Sequence, residues 1–373
     1  MKKLDRDNLV HVQRAAEKRF LRSIRNRRPN KRRSTKRRSG LTAPIEAPAK
    51  LDIYLSHNHK AFIEFISRLR EKCKHNKNIF ISFKNTHRIS AAAALLLYAE
   101  TDRLISAFPD LKIRCSFPPA LSEGKYKNNN YLVESSLKQV GFFKLIGQSS
   151  TKTTNQVSVR RWQQLSGNTA DGSLANKLLD TLGASISKRA KQRLYRGAIE
   201  AISNCVEHAY PEIRKDGLNI DDKRWWMLVG MDDHIISVIV CDLGVGIPET
   251  LPRKNPESII NRIYKKLNIQ DQSDGEMIRA STYIRRTRTG LSNRGKGGQD
   301  FRSVVEVFPS AMLSIRSNRG CYVLAGPNSK KIRKDRNRRF IDELKRAEAV
   351  SNHSSSIRGT LIEWVVSKQD LIT

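Results

Sequence analysis

Hydrophobic and polar positions along the chain change rhythm several times after about residue 51. AFIEFISRLREKC (61–73) repeats apolar residues every three or four positions and predicts an amphipathic helix. NIFISF (78–83) and LKIRCSF (111–117) are short β-branched and aromatic runs that predict strands. Between them, ISAAAALLLYAETDRLISAF (89–108) is apolar almost throughout and predicts a buried helix, and YLVESSLKQVGFFKLIG (131–147) predicts another. This order describes a small α/β unit over 51–150.

A second unit, assigned to 166–373 with its start near Trp162 or Ser166, follows a linker at 151–165. Helices are predicted for SLANKLLDTLGASIS (173–187) and AKQRLYRGAIEAISNCVEHAY (190–210), the latter stopped by Pro211. RWWMLVGMDD and HIISVIVCDLG form a predicted hairpin. A long polar stretch leads to a Gly-rich turn and the helix QDFRSVVEVF (299–308). AMLSIRSNRGCYVLAG is a hairpin turned at Asn318–Gly320, and GTLIEWVVSK is a last strand. The basic run SKKIRKDRNRRFIDELKR lies in an insertion near 327–358, and its end is predicted helical.

Composition changes this picture in two ways. The formal charge is +34 over 373 residues, which implies polyanionic partners and carries no information about fold. Much of it sits in residues 1–50, a basic tail and linker: residues 1–40 hold 16 Lys or Arg against three acids. Such a segment buries too little to fold and is expected to be largely disordered, with non-specific nucleic acid as a candidate partner. LTAPIEAPAK, with two prolines, reads as its linker. Five dispersed cysteines without a C-x-x-C pair predict reduced thiols rather than a disulfide frame or zinc site. His57, His59, Cys73 and His75 read as scattered surface residues. With no apolar run long enough to span a bilayer and no apolar signal core, the expectation is a cytoplasmic protein without a membrane partner.

Three short stretches carry candidate chemistry. In EAISNCVEHAY (200–210), at about 100° per residue, Glu200, Asn204, Glu207 and His208 share roughly a third of the helix circumference. Ile202, Cys205, Val206 and Ala209 point away from them. CDLGVGIP (241–248) ends an apolar strand with an aspartate and two glycines, which permit close backbone approach or positive φ. RGKGGQDF (294–301) places three glycines before a helix start, where free N–H groups favour phosphate. Each alone is a common pattern; each has a bland reading as solvated face, turn or loop.

Their order and spacing, closed by Gly359-Thr360 on the last strand, resemble the ATP-binding domain of the GHKL superfamily, and most of all the anti-sigma-factor serine kinases. The resemblance implies a Bergerat-type α/β sandwich with helices on a mixed sheet, binding ATP and Mg²⁺. By position it implies Glu200 as general base, Asn204 as Mg²⁺ ligand and His208 near a phosphate. Asp242 would accept from the adenine 6-amino group, with Gly244, Gly246 and Thr360 around the base and Gly295, Gly297 and Gly298 against the phosphates. G-K-G-G-Q-D departs from the usual G-x-G-L of that loop.

The first unit resembles a STAS domain, the anti-sigma-factor antagonist fold, through NIFISFKNTHRISAAAALLLYAE and SSLKQVGFFKLIG. Alanine stands where the family's phosphorylated serine belongs, and Ser90 reads as a helix N-cap. Together the resemblances imply an ATP-dependent regulator that hydrolyses ATP or phosphorylates a Ser or Thr of a protein partner such as a sigma-like factor. A nucleic-acid-associated ATP switch using the basic tail and insertion is the alternative.

Overall fold

The computed structural model describes residues 43–120, 131–150, 152, 161–183, 186–212, 223–284, 297–329, 338–341 and 346–372. The first unit runs β1 (Ile45–Glu46), β2 (Lys50–Leu51), α1 (Ser56–His75), β3 (Asn78–Ser82), β4 (Arg88–Ile89), α2 (Ala91–Ala107), β5 (Lys112–Cys115), α3 (Leu132–Gln139) and α4 (Phe142–Leu145). Strands β1, β3 and β5 form a parallel sheet in that order, and β2 pairs parallel with β4. Helix α1 buries Phe62, Phe65, Ile66, Leu69 and Cys73 at the spacing its pattern predicted. Gly141, at φ 81°, breaks the single helix expected over 131–147 into α3 and α4. Ser90 caps α2 as expected, its Oγ accepting from the Ala93 N–H at 3.3 Å.

The second unit begins at the earlier of the two starts expected. Arg161–Gly167 is strand β6, so all of the 161–165 stretch assigned to a linker belongs to the sheet. There follow α5 (Gly172–Asp180), α6 (Lys188–Asn204), β7 (Trp225–Met231), β8 (Ile235–Asp242), α7 (Ile247–Lys254), α8 (Glu257–Leu267), α9 (Asp274–Ser281) and α10 (Gly297–Val307). Strands β9 (Met312–Ser317), β10 (Gly320–Ala325), β11 (Arg338–Ile341), β12 (Ala347–Asn352) and β13 (Thr360–Ser367), with helix α11 (Lys368–Ile372), complete it. The eight strands lie in the order β11-β12-β10-β9-β13-β8-β7-β6. Every neighbouring pair is antiparallel, so the large sheet is not mixed as the family resemblance implied.

Three other expectations are corrected. Residues 45–46 and 50 of the supposed linker lie in the strands Ile45–Glu46 and Lys50–Leu51, with Ile45 buried, because prolines at 44 and 48 are tolerated at strand ends. The basic insertion does not finish in a helix over its described part. Arg338–Ile341 pairs with Ala347–Val350 and extends the sheet, while 342–345 lie outside the described residues. His59 and Cys73 are buried rather than scattered on the surface.

Both faces of the large sheet are covered, which explains why WWMLVGM and IISVIVCD read as unbroken apolar runs. Strand periodicity sends Trp225, Met227, Val238, Val240 and Trp364 to one face, where they pack with α5, α6 and α10. Trp226, Leu228, Ile239, Cys241 and Leu361 point to the other and merge with the core of the first unit. Helix α2 is apolar on most sides because it lies between its own sheet and this one. Polar ties fix the contact: Asp102 Oδ2 accepts from Trp226 Nε1 at 2.8 Å and Arg224 Nη1 at 2.9 Å. Tyr54 donates to Glu363 at 2.8 Å, and the His59 ring stacks on His353 at 4.0 Å. Among the described residues no helix is long and apolar enough to cross a membrane.

Candidate functional site

Helix α6 starts at the cap Ser187, whose Oγ accepts from the Ala190 N–H at 3.3 Å. Its buried stripe is Ala190, Leu194, Gly197, Ala198, Ala201 and Ile202. Small residues let it settle on Trp364; a Cβ at Gly197 would stand 3.0 Å from that indole. The half-exposed side carries Glu200 and Asn204 in contact. Asn204 Nδ2 donates to the Glu200 carbonyl at 2.9 Å and to its Oε1 at 3.2 Å. That leaves Asn204 Oδ1 as the oxygen suited to a hard cation.

Beyond Asn204 the α-helical ladder ends. Residues Cys205–Ala209 form one wide turn with i→i+5 bonding, a feature frequent at functional sites. It breaks the four-residue polar face expected from 3.6 periodicity. Glu207 is turned out to solvent, and His208 Nε2 lies 3.6 Å from its carboxylate. The structure thus groups Glu200 with Asn204, and His208 with Glu207.

The widened turn delivers the Ala209 carbonyl to the Val245 N–H at 2.8 Å, so the end of the helix holds the D-x-G-x-G loop. Gly244 is required by that approach, since a Cβ there would sit 2.0 Å from the Ala209 oxygen. Gly246 adopts φ 88° against Ser317 and Asn318. Asn318 Nδ2 donates to the Val245 carbonyl at 2.8 Å, and Ser317 Oγ accepts from the Ile247 N–H at 2.8 Å. The two glycines therefore seat the loop between the helix end and the β9–β10 turn.

Asp242 closes β8 directly opposite Thr360, the first residue of β13. Its Oδ1 accepts from the N–H groups of Gly244 at 2.9 Å and Thr360 at 3.2 Å. Its Oδ2 lies 3.6 Å from Cys205 Sγ, next in sequence to Asn204, which joins the loop to the Glu200–Asn204 helix. Burial pushes the carboxyl up to about 6, although these hydrogen bonds oppose the rise. The Thr360 hydroxyl meets Ser317 Oγ at 3.0 Å. A buried carboxylate with one oxygen satisfied by backbone and the other beside a weak thiol donor is suited to accept from an amino group of a planar ligand.

Sequence reasoning missed Cys205, which it turned away from the site, together with Tyr210, Ser317 and Asn318. Tyr210 donates to the Arg224 carbonyl and accepts from the Leu243 N–H at 3.1 Å, so it links β7 to the loop. The sequence signal for Asn318 was its position in a predicted turn, where it takes φ 51°. Gly295 lies outside the described residues, while Gly297 and Gly298 open α10 itself rather than preceding it. Among the described residues no three His, Cys, Asp or Glu side chains gather to hold a metal ion. A lone amide oxygen at Asn204 fits only a cation that leans on a ligand's own phosphates.

A second buried polar cluster pins α9 and α10 to β12. Glu348 accepts from Arg279 Nε at 3.0 Å, Arg302 Nη1 at 2.8 Å and the hydroxyls of Tyr322 and Tyr283, each at 2.7 Å. Burial alone raises its carboxyl, but Arg302 and the tyrosine donors outweigh that and hold it below the usual range. Compared with known proteins, the chain matches no family model and shows no significant similarity to a curated protein.

Proposed function

We propose that the protein is a Mg²⁺-ATP-dependent regulator, its larger unit a GHKL-type nucleotide domain and its first unit a STAS-like module. The observation that carries this reading is the buried Asp242 carboxylate, in register with Thr360 and joined through Cys205 to the helix bearing Glu200 and Asn204. In this reading Asp242 Oδ2 accepts from the adenine 6-amino group, a contact guanine lacks. Asn204 Oδ1 would hold Mg²⁺ together with the nucleotide phosphates, whose charge the cation would neutralise, and His208 would approach those phosphates from the wide turn. Glu200, held by the Asn204 amide, orients or deprotonates the attacking water or hydroxyl. The reaction is ATP hydrolysis or phosphoryl transfer to a Ser or Thr of a protein partner, a sigma-like regulator being the class implied by the resemblance.

The test is incubation of the purified full chain with γ-labelled ATP and Mg²⁺, alone and with candidate partners. Label recovered as free phosphate or on protein supports turnover, and equilibrium binding of ATP over GTP supports the Asp242 assignment. Failure to bind ATP in calorimetry removes the reading. A second reading, a nucleic-acid-responsive ATP switch, is favoured by the 16 bases in residues 1–40. ATP turnover that rises on adding DNA or RNA distinguishes it.

A further inference from the structure

The first two thirds of α6 are more basic than a helix needs to be. Residues 188–199 contain five Lys or Arg and no acid. Lys191 is ion-paired with Asp180. Arg189, Arg193 and Arg196 make no ion pair or hydrogen bond with any described residue; Arg189 and Arg196 are exposed and Arg193 half-buried. At about 100° per residue these three share a sector of roughly 60° with Glu200, and Asn204 lies just beyond it. They form one ridge that climbs the helix and ends at the candidate site.

Local stability does not account for the ridge. The first turn of α6 holds no acidic residue, and its Lys188 and Arg189 put positive charge where the helix dipole favours negative. A local rule broken without internal compensation is expected where a ligand supplies it. The residues nearest the site are arginines, whose planar forks take phosphate oxygens two at a time. With a rise of 1.5 Å per residue, Arg189 to Arg196 spans about 10 Å. Three arginines spread over this length, with side chains that reach well beyond the helix backbone, can each take a phosphate of one strand. The rest of the chain favours the same ligand: its formal charge is +34, and helix α8 exposes Arg262, Lys265 and Lys266.

We propose that Arg189, Arg193 and Arg196 form a binding site for the phosphate backbone of a nucleic-acid strand, leading it to the edge of the candidate site at Glu200. The site reads charge and not sequence, and it is separate from residues 1–40. It holds whether or not the neighbouring candidate site takes ATP.

The test uses the full chain, a fluorescein-labelled single strand of random sequence and anisotropy over a salt series without nucleotide. Arg189→Gln/Arg193→Gln/Arg196→Gln keeps good helix formers at three accessible positions. The dependence of log affinity on log salt should become shallower by about 2, from three lost phosphate contacts at about 0.7 each. Lysine at the same three positions should restore most of the slope. A control that removes three exposed bases elsewhere, Arg88→Gln/Lys112→Gln/Arg114→Gln, should leave it near the parent value. An unchanged slope in the glutamine variant, with parental circular dichroism, overturns the site. So does an equal loss in the control, which makes the ridge ordinary surface charge. Polyglutamate of matched charge competing as well as unlabelled strand overturns the nucleic-acid assignment.

Discussion

Asp242→Asn separates stability from ligand binding at a single atom. The Asp242 carboxyl is raised from its ordinary 3.8 to about 6, with burial as the main cause. At 1.36 kcal/mol per decade, ionising it inside the folded protein costs about 3 kcal/mol at neutral pH. The sign follows from linkage: a raised carboxyl favours the folded state below pH 4, and that advantage is lost as pH rises through 6. Asparagine keeps an Oδ1 to accept from Gly244 and Thr360 but has no charge to bury. The variant should therefore match the parent near pH 3.5 and exceed it by about 3 kcal/mol at pH 7.5. In the proposed adenine contact, however, it presents a donor to a donor and should lose about 100-fold in ATP affinity. Denaturant melts at the two pH values, paired with calorimetric titration of ATP, measure both effects. A stability difference independent of pH would refute the buried-charge argument. Undiminished ATP affinity would refute the adenine contact.

Other outcomes follow from the same geometry. Parental ATP affinity should fall about tenfold per pH unit below about 6, as protonation removes the Asp242 acceptor; a flat profile from pH 7 to 5 contradicts this. Glu200→Gln should keep Mg²⁺-ATP affinity, because the amide can still accept from Asn204, while turnover falls by about 10²–10⁴-fold; single-turnover assays with labelled ATP decide it. Gly244→Ala should destabilise the fold by about 1–3 kcal/mol, since its Cβ meets the Ala209 carbonyl, and thermal melts should show the loss without ligand. Removing residues 1–40 should weaken nucleic-acid binding and flatten its salt dependence while leaving ATP affinity unchanged; filter binding with equal slopes for both chains argues against a role for the tail.

The large elements were legible because their apolar positions repeat. Helix α1, the β7–β8 hairpin and the last strand stand where periodicity put them. Asp242 and Thr360 were legible as strand ends, and antiparallel register then sets them side by side. What escaped was short, polar or dependent on distant partners. Two-residue strands at 45–46 and 50–51 are below any pattern, and RWQQLSG at the sheet edge alternates too weakly to read as a strand. The wide turn at 205–209 leaves sequence periodicity untouched, although it changes which side chains face the site. Cys205 and Tyr210 matter through contacts more than 30 residues away, to Asp242 and Leu243, which no local pattern encodes.

The first unit closes over the back of the large sheet, and this bears on how such a chain diverges. Trp226, Leu228, Ile239, Cys241 and Leu361 have their packing partners in another part of the gene. A change of volume on α2 has to be answered by a change on β7, β8 or β13. The two halves are then inherited as one packing problem. Related chains should carry both together, with size changes at these positions compensated across the seam, and grafting either half onto a foreign partner should fail unless the seam is rebuilt with it.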